Sequence, residues 1–327
     1  IMLNYIIRRL FISMFTLVGI TIVTFCITRL APGDPAMALT SGVQDPKASA
    51  AAYEQLRQRW GLDKPIYVQY FSWVKGMCVL DFGESMSSDS RPVIDKIKPR
   101  LWPTMSLALL AIGLSLSLSV PIGIWSAAKQ NSYFDTITST ILYALYSVPS
   151  YVMAVPLILL LGVKWDILPF QGMMSDNYET LSSIDKVFDI VKHYAMITFC
   201  FSYGAWAYYA RFVRQNMLEV VRQDYIRTAR AKGVKEFNII IKHAFRNTLI
   251  PIVTLLGLIL PEIIGGSVIL EVMFNWPGIG RLFFDSMMQR DYTTIMAIST
   301  STAVLVLVGT LISDLSYVVV DPRVNYE

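Results

Sequence analysis

The sequence is poor in charge: Asp, Glu, Lys and Arg make up 16% of its 327 residues, where a soluble domain of this length carries about 25%. Hydrophobic residues reach 54% and the mean hydropathy is +0.49, so the bilayer is the expected solvent for much of the chain. Histidine is nearly missing. His193 and His243 are the only two, and neither has neighbours at ligand spacing, so no metal site is expected. Cys26, Cys78 and Cys200 lie far apart, and their odd number argues against a disulfide framework. They read as small buried hydrophobes. No Gly-x-x-x-x-Gly-Lys-Ser/Thr loop is present to cradle nucleotide phosphates. No Ser–His–Asp or Cys–His set is evident either, so no catalytic residue is assigned. The excess of 28 Lys+Arg over 24 Asp+Glu is too small to point to nucleic acid.

Apolar runs are what the sequence has in abundance. A membrane helix needs roughly 20 mostly apolar residues, and six stretches qualify: about Leu10–Leu30, Leu101–Ala127, Phe134–Val163, Ala195–Val213, Thr248–Leu270 and Thr293–Val320. The expected fold is therefore an all-α integral membrane protein with about six transmembrane helices. The first run follows Arg8 and Arg9 like a signal sequence. It is too long for a signal core, and no small-residue cleavage site precedes Ala31-Pro32-Gly33-Asp34-Pro35, so it reads as a retained anchor. Pro121, Pro149, Pro156, Pro251 and Pro261 fall inside the runs, which membrane bundles tolerate because neighbouring groups re-satisfy the freed carbonyls. Ser115, Ser117 and Ser119 suit helix packing in lipid.

Orientation follows from the short loops, where Lys and Arg favour the cytoplasm. Between the fourth and fifth runs stand Arg211, Arg214, Arg222, Arg227, Arg230, Lys232, Lys235, Lys242 and Arg246, opposed by only Glu219, Asp224 and Glu236. The loop between the third and fourth runs is acidic. Both termini are thus expected in the cytoplasm, with Ala31 to Arg100 outside. Within that outer segment, Ala48–Trp60 reads as a helix ended by Gly61. Ile66–Lys75 reads as an aromatic helix on the membrane surface or the bundle, and Pro92–Ile97 as a third short run. Two charges fall inside runs. Asp314 sits near the inner end of the sixth, where pairing with a basic loop residue is the first reading. Glu262, next to Pro261, is a pore candidate, with packing beside water as the alternative.

The loop after the fourth run is the most informative. Asp224 can cap a short helix and Gly233 can end it. Thr228 and Ala229 leave little bulk on one side, and Arg227, Arg230 and Lys232 project from the others. A second helix, Lys235–Asn247, then feeds the fifth run. A short helix lying across the inner face suits docking into a groove on a soluble partner.

The residue order Asp224-Tyr225-Ile226-Arg227-Thr228-Ala229-Arg230-Ala231-Lys232-Gly233 resembles the signature cytoplasmic loop of ABC importer membrane subunits, in the form typical of the peptide and nickel branch. The Glu-Ala that opens the general signature is replaced here by Arg227-Thr228. The resemblance extends along the chain through Ala31-Pro32-Gly33-Asp34-Pro35, Gly61-Leu62-Asp63-Lys64-Pro65, Asp81-Phe82-Gly83, Arg246-Asn247-Thr248-Leu249-Ile250-Pro251, the outer run Glu271-Val272-Met273-Phe274-Asn275-Trp276-Pro277-Gly278-Ile279-Gly280-Arg281, and Asp321-Pro322-Arg323-Val324. The chain is similar to the B-type permease subunit of dipeptide, oligopeptide and nickel importers.

That resemblance implies a permease moving its solute by alternating access in the plasma (inner) membrane of a prokaryote, in contact with membrane lipid and not nucleic acid. Its partners would be a second related permease, two ATPase subunits that hold ATP and Mg, and an extracytoplasmic solute-binding protein. Residues 1–100 would be the anchor and outer segment, and 101–327 a five-helix permease core with its coupling loop at 211–247. Asp224 to Gly233 would couple to the ATPase. Glu271, Trp276, Pro277, Gly278 and Arg281 would serve binding-protein docking or an outer gate, with a tight turn at the membrane interface as the other reading of Trp276-Pro277-Gly278. An ion-coupled secondary transporter and a peptide exporter subunit are the rival functions.

Overall fold

Apolar sequence, Pro and Asp together set where helices begin and end in the computed structural model. The model describes residues 2–31, 33–41, 44–249, 251–252 and 267–320, the backbone alone for 2–6 and 313–320. Helix α1 (Met2–Leu30) carries the first apolar run. Asp34 then caps α2 (Pro35–Thr40): its carboxylate accepts from the Ala36 N–H at 2.8 Å and from the Tyr53 hydroxyl at 2.8 Å. Asp45 caps α3 (Pro46–Arg59) in the same way, and Gly61 at φ +64° ends it, as a residue without Cβ does at little cost. Next comes α4 (Ile66–Cys78). The run after Pro92 is no separate helix. It is the first turn of α5 (Val93–Ala128), 36 residues long and so about 54 Å.

The third apolar run is broken into α6 (Tyr133–Tyr146) and α7 (Ser150–Leu157), which continues as a π-helical turn (Ile158–Lys164); the two halves meet at 92°. Pro149 accounts for the break, because proline disfavours helical backbone at the residue before it. The fourth run lies within α8 (Ser183–Val221). Then follow α9 (Asp224–Ala231), α10 (Glu236–Asn238) with a second π-helical turn (Ile239–Phe245), α11 (Val268–Met273), α12 (Ile279–Met288) and α13 (Tyr292–Val320). Among the described residues three helices, at Ile7–Leu30, Val93–Ala128 and Tyr292–Ile312, are long and apolar enough to cross a membrane, and the bent pair makes a fourth if taken as one span. Most of the fifth run, Glu262 and Pro261 included, lies outside the described residues, as do the Asp314 side chain and Asp321 to Val324.

Helices α5 and α8 form the spine and run in the same direction. The Ser115 hydroxyl donates to the Ser202 carbonyl and the Ser119 hydroxyl to the Trp206 carbonyl, both at 3.1 Å. One step further along, a Cβ on Gly123 would stand 2.6 Å from the Ala210 carbonyl oxygen. Small residues at every fourth position thus bring two backbones together, the device expected where helices pack in lipid. Ser117 does not share it: it is exposed and bonds back to Leu114, because a period of four rather than two keeps residues on one helix face. Between these parallel helices the bent pair runs the opposite way. It starts beside the C-terminal half of α8, at Asp135–Arg214, and ends among Ala154, Tyr194 and Ile197.

Candidate functional site

Helix α9 crosses the end of the bundle where α5 and α8 finish. An eight-residue helix is marginal by itself, so its order comes from three attachments. Ile226 is its one buried residue and enters a cluster with Val213, Met217, Ile239, Ile240 and Ala244; full burial of such a side chain contributes about 1.5–3 kcal/mol. The Tyr225 hydroxyl accepts from Asn247 Nδ2 at 2.6 Å. Past the end, Gly233 at φ +73° lets its own N–H reach the Arg230 carbonyl while the Val234 N–H reaches Ala229, the paired bonds of a Schellman turn. Asp224 is the first helical residue rather than the cap. The cap is Gln223, whose side chain makes no capping bond.

What remains of α9 faces outward. Asp224, Tyr225, Arg227, Thr228, Arg230, Ala231, Lys232 and Gly233 are exposed, and Ala229 is half-buried. Arg227 pairs with Asp224 at 3.4 Å, and Arg230 grips Glu236 through two bonds of 2.7 and 3.2 Å that close the loop into α10. The Arg230 bonds hold the Glu236 carboxyl below its ordinary range. Phe237 is exposed and stands 6.3 Å from Trp125, adding an apolar edge that the basic pattern of the loop conceals. Between α6 and α8 the bundle opens into a groove of about 320 Å³ lined by Tyr143, Tyr146, Tyr208, Arg211, Phe212 and Gln215.

The opposite end of the bundle holds the second candidate set, and it is built as a latch. Glu271 and Trp276 are completely buried. The Trp276 indole donates to the Pro103 carbonyl at 3.1 Å and meets Tyr194 edge-on at 4.6 Å. The Glu271 carboxylate accepts from Thr104 Oγ1 at 3.1 Å and from the Arg281 N–H at 2.9 Å, while the Ile279 N–H donates to Thr104 Oγ1 at 2.8 Å. Glu271 and Thr104 therefore cap α12, whose first amides have no partner within the helix. Burial pushes the Glu271 carboxyl up despite these bonds. Gly278 is required by closeness: a Cβ there would lie 2.6 Å from Thr104 Oγ1. Pro277 and Arg281 are half-buried, and Arg281 donates to the Asn275 carbonyl at 3.0 Å.

A third cluster went unnoticed in the sequence because its members are scattered. Lys96 is buried and donates to Ser85 Oγ at 2.7 Å, Ser87 Oγ at 2.8 Å and Asp89 at 2.9 Å, with Asp291 at 3.6 Å. Asp291 accepts from Ser85, the Met86 N–H and Thr294. Burial works against the Asp89 charge, but bonds from Lys96, Ser87 and Arg91 prevail and hold its carboxyl well below 3.8. Among the described residues no group of three or more His, Cys, Asp or Glu is placed to hold a metal.

Comparison with known proteins covers nearly the whole chain. Residues 119–326 match the family described as binding-protein-dependent transport system inner membrane component, and residues 2–108 match its N-terminal membrane-component region. The chain is 44% identical to the oligopeptide transport system permease protein AppB of Bacillus subtilis, over 99% of this chain and all of that protein. It is 33% identical to the dipeptide transport system permease protein DppB of Escherichia coli and 34% identical to the glutathione transport system permease protein GsiC of Shigella boydii, each over the full length of both.

Proposed function

Because the chain belongs to the inner membrane components of binding-protein-dependent transport systems, we propose that it is the B-type permease of a peptide importer, with α9 as its coupling helix. The chain is a multi-pass inner membrane permease of an ABC importer and not itself the catalyst. Dependence on a binding protein sets aside both the ion-coupled transporter and the exporter. A binding protein and an ATPase are its partners; a second related permease and a pair of ATPases carrying ATP and Mg complete the proposed complex. Peptides are the substrate class named in the oligopeptide, dipeptide and glutathione relatives.

The exposed face of α9 carries this reading. A short helix, anchored by Ile226 and closed by Gly233, turns Asp224, Arg227, Thr228 and Ala231 outward from the bundle. A docked ATPase could push on it and move α8 and the π-helical turn with it. Alternating access needs such a lever, together with a partner that favours one state over the other. Six crossings with both termini on the α9 side agree with the helix directions. Helices α5 and α8 run toward α9, the bent pair runs away from it, and α1 ends where α13 begins, with the Tyr292 hydroxyl donating to the Gly33 carbonyl at 3.3 Å. In this scheme residues 1–100 are anchor and outer segment and 101–327 the permease core. Glu271, Trp276 and Gly278 would brace the outer gate from within, leaving Pro277 and Arg281 nearer its surface. The tyrosines and Arg211 of the groove match the amides and terminal carboxylate that every peptide carries. Glu262 stands as a further pore candidate outside the described residues.

The test is peptide uptake and ATPase activity of the reconstituted complex. Thr228→Trp, which adds bulk to the outer face of α9 without touching its core, is expected to abolish uptake and to release the ATPase in a pull-down. Full uptake with the ATPase retained would refute α9 as the coupling element.

A further inference from the structure

Half of the bent pair is only lightly attached to the bundle. Helix α6 has 14 residues, and Asp135 and Leu142 are the ones it buries. Tyr133, Phe134, Ile137, Ile141, Tyr143 and Tyr146 are exposed. Leu142 packs on Ala207 and Ala210 of α8. Asp135 meets Arg214 of α8 through two bonds, from Nε to Oδ1 at 2.8 Å and from Nη2 to Oδ2 at 2.7 Å. Such a fork fixes orientation as well as distance. The Asn131 N–H donates to the same carboxylate at 3.0 Å. The hydroxyl contact toward α5, Ser126 to Thr138, is longer at 3.4 Å.

The other end of α6 is a bend with a pin. The chain turns by 92° between Tyr146 and Ser150, and a break at membrane depth leaves carbonyls that need new partners. Tyr203 of α8 is completely buried, and its hydroxyl donates to the Val148 carbonyl at 2.6 Å. Three attachments therefore tie α6 to α8: an ion pair at its start, a leucine in its middle and a hydroxyl at the bend. Arg214 lies between Val213 and Met217, two α8 residues clustered with Ile226 of α9. Space remains between α6 and α8, in the groove of about 320 Å³ and in a smaller one of about 120 Å³ lined by Ser126, Ser139 and Arg214. Helix α6 thus has room to change its angle to α8.

We propose that Asp135 and Arg214 are positioning residues of the transport cycle: their pair makes α6 follow α8 when α9 moves, and Tyr203 pins the bend about which α6 turns. This rests on the reading of α9 as the coupling helix. Motion applied at Ile226 reaches Val213 and Met217 through packed side chains. The adjacent Arg214 carries it to α6 through two directional bonds. With the pair broken, α8 moves and α6 lags, so hydrolysis continues while less solute crosses. Hinges of this kind take up their change of angle in a few residues at element ends.

The test uses the reconstituted complex and reads three quantities: ATPase retained in a pull-down, peptide-stimulated hydrolysis, and peptide taken up per ATP hydrolysed. Asp135→Asn is expected to keep the first two and to lower the third severalfold. Arg214→Lys keeps the charge without the planar fork and should fall between Asp135→Asn and wild type. Exchange of the pair, Asp135→Arg with Arg214→Asp, should recover much of the loss. Tyr203→Phe keeps the ring stacked on Phe199 at 5.5 Å and removes only the hydroxyl, and it should lower the same ratio. If Asp135→Asn fails to assemble, Arg214→Lys and Tyr203→Phe decide, and wild-type uptake per ATP in both would overturn the proposal. So would a wild-type ratio in Asp135→Asn, which makes the pair dispensable, or release of its ATPase, which places the pair in holding α9. Failure of α9 as the coupling element shows separately, as full uptake in Thr228→Trp.

Discussion

Single residues carry the closest tolerances. Gly123 lets the α5 and α8 backbones meet, and even the Cβ of Gly123→Ala would press on the Ala210 carbonyl and the Val213 side chain. Overpacking of this kind costs about 1–3 kcal/mol, so Gly123→Ala should lower the melting temperature of the purified complex and Gly123→Leu should prevent its assembly. Glu271 poses the opposite question. Its carboxyl is raised by burial, so a charge there opposes folding: the group favours the folded state at low pH and loses that contribution as pH rises through its folded value. Glu271→Gln keeps an acceptor for the α12 amides and removes the charge, and is expected to match or exceed wild-type stability at neutral pH. Glu271→Ala leaves the amides uncapped, at about 0.5–2 kcal/mol. Thermal unfolding across pH separates the two. A Glu271→Gln protein less stable than Glu271→Ala would contradict the capping role.

Whole elements act through their ends. Helix α9 is short enough that its turn at Gly233 decides whether it persists. Alanine at φ +73° is strained by about 1–2 kcal/mol, and nothing crowds the site, so Gly233→Ala should loosen α9 while the bundle stays intact. The measurable result is lower peptide-stimulated ATPase activity with an unchanged melting temperature. If coupling is unaffected, the turn is not part of the lever. The cluster around Lys96 ties the segment before α5 to the start of α13 by ion pairs. Asp89 is held well below 3.8, so its contribution is complete above the unfolded value and is lost only as pH falls through the lower folded one. Protease sensitivity of residues 31–92 should therefore stay flat from pH 8 to about pH 5. Lys96→Met should raise that sensitivity at every pH, because it strands Asp291 in a buried site.

At the scale of the molecule, direction matters more than any single contact. Parallel α5 and α8 leave the bent pair to carry the chain from one end of the bundle to the other, and on that placement we propose the six-crossing scheme over one in which α6 and α7 form a re-entrant loop. Single cysteines placed at Glu54, Asn177 and Lys232 in a background free of Cys26, Cys78 and Cys200 test it. A membrane-impermeant maleimide added outside should label the first two and not the third. Labelling of Lys232→Cys from outside would reverse the proposed orientation and remove the basis for coupling to a cytoplasmic ATPase.

Sequence alone determined the parts governed by short range. Membrane solvent follows from composition. The end of α3 and the start of α4 follow from Gly61 and Pro65, and a short helix between Asp224 and Gly233 follows from turn chemistry within ten residues. The basic face of α9 was legible for the same reason, since neighbouring residues on an exposed helix have few other places to go. Tertiary structure decided the rest. Thr104 meets Glu271 across 167 positions, and Ser85 meets Asp291 across 206. The pairing of Ser115 and Ser119, but not Ser117, with α8 needed the helix register. Glu271 and Trp276 read as docking surface or outer gate in a turn-forming run, yet both are interior. No local pattern reports burial by a distant helix, because burial belongs to the partner surface as much as to the residue itself.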